Sequence, residues 1–86
     1  MTANDKLLDA GYEGVKIFSQ IDYADALIGV SSDNRAVYDF DLMVAWLVEH
    51  EGFEPNEAVE WIEYNTIRSL PYAEPGAPVV MMPLTI

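Results

Sequence analysis

Eighty-six residues with a hydrophobic fraction of 51% and a formal net charge of −11 make one domain, 1–86, able to bury a small core. A disordered acidic tail is excluded, because such tails lack this much apolar side chain. Four Lys and Arg against fifteen Asp and Glu leave too little positive charge to hold phosphates, so direct binding to nucleic acid or to an anionic membrane is not expected.

The chain opens MTANDKLLDAGYEG, without the apolar core of a signal peptide. Residues 4–10 predict a short helix, with Thr2 or Asn4 as its cap and Gly11 past its end. Val15-Lys16-Ile17-Phe18 is rich in strand-favouring residues and predicts a first strand over 15–18. Residues 26–30 (ALIGV) and 36–38 (AVY) predict a β-hairpin. The intervening SSDNR is turn-rich, and Asp33-Asn34 tolerates the positive φ such a turn needs.

Asp39 or Asp41 caps the next predicted helix, which runs to about His50 with Gly52 past its end. Its segment LMVAWLV is apolar all round, which predicts cover on more than one side, from the sheet and the next helix or from another subunit. This run, Leu42 to Val48, is far shorter than the ~20 residues of a membrane span. Glu54-Pro55-Asn56-Glu57 opens a further helix, with Pro55 suited to its first turn and Pro71 limiting it to about Ser69. At about 100° per residue, Ala58, Val59, Trp61, Ile62, Asn65 and Thr66 share an inner face. Glu57, Glu60, Glu63 and Tyr64 share the outer face, joined by Ile67 if the helix stays regular. Residues 71–78 form a loop, and 79–82 predict a strand between Pro78 and Pro83, as suits a sheet edge. The expected fold is α+β: a small antiparallel sheet of the 26–30/36–38 hairpin, 79–82 and 15–18, a two-helix hairpin on one face, and a short N-terminal helix.

Charge is distributed unevenly. Between Arg35 and Arg68, 32 residues carry no Lys or Arg but eight carboxylates: Asp39, Asp41, Glu49, Glu51, Glu54, Glu57, Glu60 and Glu63. Glu57, Glu60 and Glu63 are i,i+3 neighbours, and each such like-charge contact costs about 0.2–0.5 kcal/mol. A solvated face tolerates that cost. Spaced carboxylates on a helix also resemble a phosphate backbone, and Tyr64 and Ile67 would add apolar anchors.

The remaining candidates have simpler readings. His50 is the only histidine, placed to interact with a helix C-terminus, and Asp39 and Asp41 are placed to cap a helix start. Trp46 and Trp61 read as core. Asn65 is expected inside with its amide satisfied, and Arg68 is expected to hold loop carbonyls or a carboxylate near Pro71. With no cysteine there is no disulfide and no thiolate metal site, a composition suited to a reducing cytoplasm.

The runs ALIGVSSDNRAVYDFDLMVAWL, NEAVEWIEYNTIRSLPY and APVVMMPL resemble a group of small acidic proteins of bacteriophages and other mobile elements in bacteria. The resemblance covers residues 26–84, and WIEYNTIRSLPY is its most distinctive piece. It carries no established activity onto any residue. It implies a context in which small proteins inhibit host machinery, including CRISPR and restriction effectors.

The expected function is therefore a non-enzymatic acidic binding module, an anti-CRISPR- or anti-restriction-like mimic of nucleic acid. Its partner would be a basic nucleic-acid-handling host protein in the cytoplasm, met by Glu57, Glu60, Glu63, Tyr64 and Ile67 without any cofactor. The protein is also expected to form a homodimer. The alternative function is a structural or assembly protein that homo-oligomerises through the apolar helix and the C-terminal strand. A small metal-dependent enzyme using Asp39, Asp41 or His50 is a third reading.

Overall fold

The computed structural model describes residues 1–84. Short-range chemistry begins and ends its helices. The Thr2 hydroxyl accepts from the Asp5 amide at 3.1 Å, and the Asp5 carboxylate accepts from the Thr2 amide at 3.0 Å. This capping box opens α1 (Ala3–Asp9) and holds the Asp5 carboxyl below its ordinary pKa. In the hairpin of β1 (Leu27–Val30) and β2 (Ala36–Asp39), Asn34 takes φ +62° and donates its amide to the Ser31 carbonyl at 2.9 Å. Asp39 ends β2 and also caps α2 (Phe40–Glu51), accepting from the Leu42 amide at 3.1 Å. Strand thus passes into helix without a loop. Gly52, at φ +71°, terminates α2 in the left-handed conformation that glycine adopts without steric cost. Pro55 occupies the first turn of α3 (Pro55–Asn65).

The fold is α+β, with helices packed against a three-stranded sheet ordered β1-β2-β3. The sheet is mixed rather than antiparallel. β1 pairs antiparallel with β2, but β3 (Val79–Met81) runs parallel to β2, with Val37 opposite Val79 and Asp39 opposite Met81. The reason is the connection. The α2–α3 segment is a crossover that returns the chain to its starting direction, the requirement for a parallel pair. β3 ends at Met81, one residue short of the predicted strand.

Two further expectations are corrected. Residues 15–18 form no strand; they are an irregular segment whose Val15, Ile17 and Phe18 pack onto the core. Their strand-like composition reflects burial rather than pairing. The last helix also stops early. At Thr66 the chain leaves α geometry and continues as a tighter 3₁₀ segment, Ile67–Tyr72. The Asn65 side-chain amide donates to the Trp61 carbonyl at 3.0 Å, and the Ser69 hydroxyl donates to the Thr66 carbonyl at 2.8 Å. Such side-chain bonds compete with continued helix.

The core comprises chiefly Tyr23, Tyr38, Met43, Leu47 and Ile62, all fully buried. α2 lies against α3, β2 and the 3₁₀ turn Ala24–Ala26. That covers much of its circumference but leaves Leu42 and Val48 exposed by 41% and 37%. Three of the four cations fasten loops. Lys6 donates to the carbonyls of Ala24 (2.8 Å) and Leu27 (2.7 Å). Arg35 donates to the Ala77 carbonyl at 2.8 Å, and Lys16 to Glu74 and to the Pro75 carbonyl. The radius of gyration, 12.6 Å, is close to the ~12 Å expected of a compact chain of this length.

Candidate functional site

With three cations tied to loops, the acids between Arg35 and Arg68 stand without counter-ions. Among the described residues the one ion pair is Lys16–Glu74 at 3.0 Å, outside that stretch. Glu57, Glu60 and Glu63 are exposed on α3, and Tyr64 is 61% exposed beside them. A shallow groove of about 290 Å³ runs along this face, lined by Phe53, Glu57, Glu60, Trp61, Tyr64 and Asn65. Three of the five expected contact residues, Glu57, Glu60 and Tyr64, therefore share one depression. Glu63 is exposed but does not line it. Ile67 leaves the face altogether: the 3₁₀ winding after Thr66 carries it into partial burial against the core.

The floor of the groove was not legible by helical phase. Trp61 was expected inside, but it is half-buried at the boundary, packing inward while one edge lines the groove. Phe53, from the three-residue α2–α3 link, meets it at a centroid distance of 6.4 Å and an interplanar angle of 68°. Asn65 is exposed rather than inside, and Arg68 lies over the Tyr64 ring, 4.5 Å from its centroid, rather than on loop carbonyls. The signal that could have found Phe53 is the brevity of the link after Gly52, which keeps it beside the first turns of α3.

Glu57 has a second role. One of its oxygens accepts from the Glu54 amide at 3.0 Å, so it also supports the start of α3. Changing it to Gln keeps that bond available, whereas Lys removes it.

The residues of the metal reading do not converge. Asp39 and His50 stand at opposite ends of α2, roughly 16 Å apart along its axis, and Asp41 is exposed in its first turn. His50 stacks on Trp46 at 3.9 Å between centroids, and Trp46 is half-buried rather than fully inside. No group of three or more potential metal ligands occurs among the described residues.

A second cleft, also about 290 Å³, lies across α3 between residues 18–21 and the helix end. Tyr23 forms part of its wall with Phe18, Thr66 and Ser69. Tyr23 adopts φ +50°, a conformation rare for a bulky residue. Its hydroxyl and that of Tyr38 are buried without a hydrogen-bond partner. Burial pushes both phenols up to about 12; the Thr66 side chain slightly offsets the shift at Tyr23 without reaching hydrogen-bond geometry.

No protein-family model, curated protein or solved structure matches this chain. None of its described helices is long and apolar enough to cross a membrane.

Proposed function

We propose that this protein is a non-enzymatic binding module whose α3 face docks on a basic surface of a nucleic-acid-handling protein. In that reading it inhibits its partner by presenting carboxylates where phosphates would lie, in the cytoplasm and without a cofactor. The observation that carries the reading is the groove in which Glu57 and Glu60 flank Trp61 and Tyr64 with no cation among its walls. Aromatic side chains supply the desolvated contact area that holds a complex. Uncountered acids speed the encounter, with a salt dependence set by screening. The resemblance to small acidic phage proteins supports the narrower form, an inhibitor of host defence.

The test begins with affinity capture of the partner from a bacterial lysate. The captured protein is then titrated with the wild type and with Glu57→Gln/Glu60→Lys, at low and high salt. The variant should lose at least tenfold in affinity at low salt while melting near the wild-type temperature. Unchanged affinity would reduce the acids to a solvated face.

A second reading, a homodimer, is favoured by one observation: Leu42 and Val48 leave an apolar strip on α2 open to solvent. Light scattering should then report twice the chain mass at micromolar concentration, and Leu42→Asp should halve it. A single-chain mass throughout would dismiss this reading.

A further inference from the structure

We infer that the α3 groove is a seat for one arginine side chain of the partner, not merely a patch of negative potential. The inference rests on the docking reading above and deepens it. A diffuse acidic surface needs only exposed carboxylates. This groove also has three aromatic walls, and two of them, Phe53 and Trp61, meet at 68°. They form a corner with Tyr64 alongside and the carboxylates of Glu57 and Glu60 at its border.

A guanidinium suits that combination better than an ammonium does. It is flat, weakly hydrated, and able to stack on a ring face while its N–H groups reach carboxylates in pairs. Tryptophan is the aromatic side chain with the strongest attraction for a cation over its face. The molecule already contains one such contact, because the Arg68 guanidinium lies 4.5 Å from the centroid of the Tyr64 ring. Arg68 is not among the groove's lining residues, which include Glu57 and Glu60 and no cation. A volume of about 290 Å³ has room for one long side chain. The partner would seat a single arginine side chain there.

Capped peptides in which glycine alternates with arginine, lysine or citrulline test this, read by tryptophan fluorescence and by the indole resonance of Trp61. The arginine peptide should bind at least about threefold more tightly than the lysine peptide and shift the Trp61 resonance, and the uncharged citrulline peptide should not bind. Tyr64→Leu, at an exposed position, should erase the arginine preference while sparing the weaker lysine binding. Glu57→Gln/Glu60→Gln should weaken both. Equal binding of arginine and lysine peptides, insensitive to Tyr64→Leu, would overturn the seat while leaving the acidic docking face standing. If neither cationic peptide bound at low salt, the docking reading would fall with it.

Discussion

Two aromatic clusters serve opposite ends in this small domain. The buried Tyr23 and Tyr38 pack with the half-buried Phe18, with Phe18 and Tyr38 at 4.7 Å between centroids and Tyr23 edge-on to both. Phe53, Trp61 and Tyr64 gather on the surface of α3, bordered by carboxylates. The side chains are of similar kinds; their surroundings are not. In the inner cluster the two tyrosine hydroxyls are buried without a protein hydrogen-bond partner, and its contribution is cohesion. The outer cluster has the exposed carboxylates of Glu57 and Glu60 at its rim and keeps part of its apolar area at the surface. Burial, rather than residue type, separates a core ring from a surface ring.

The widest separation between the clusters should appear on truncation. Tyr38→Ala should cost about 3–5 kcal/mol, the range for deleting a buried aromatic ring, and should lower or abolish cooperative melting. Tyr64→Ala should fall within roughly 0.5 kcal/mol of wild type. Equal losses in thermal or denaturant unfolding would erase the distinction.

Alkaline titration sharpens the same comparison. The inner phenols stay protonated in the folded protein to about 12, whereas they titrate near 10 once unfolded. Above pH 10 the unfolded chain releases protons that the folded chain retains. Stability is therefore full below pH 10 and lost as pH rises toward 12, by roughly 3 kcal/mol per phenol. Tyr23→Phe with Tyr38→Phe should flatten this decline. At neutral pH the pair should be neutral or slightly stabilising, because each removes a buried hydroxyl that has no partner. An alkaline decline that survives both substitutions would place its origin elsewhere.

The smallest expected effect separates the two roles of Glu57 within the outer cluster. Glu57→Ala should cost about 1 kcal/mol by removing the bond to the Glu54 amide, whereas Glu57→Gln should cost only a few tenths because an amide oxygen can replace the carboxylate. If both variants melted alike, the capping role would be negligible and the carboxylate would serve only the surface.

Features that close within about five residues were legible along the chain. Thr2 as a cap, Asn34 in a tight turn, Asp39 between strand and helix, Gly52 at a helix end and Pro55 at a helix start all follow from donors and acceptors close along the chain. Their spacing also exposed the α+β order and put Glu57, Glu60 and Tyr64 on one face. Tertiary structure decided what depends on distant partners. The parallel pairing of β3 needs the whole α2–α3 crossover, and residues 15–18 lie against the core, where Phe18 packs on the distant Tyr38, instead of pairing as a strand. Ile67 turned inward and Trp61 came to rest at the boundary, because the winding after Thr66 and the approach of Phe53 are not encoded in a regular helical repeat. A periodic pattern specifies which side of a helix is apolar; only the packed neighbours specify where that side meets water.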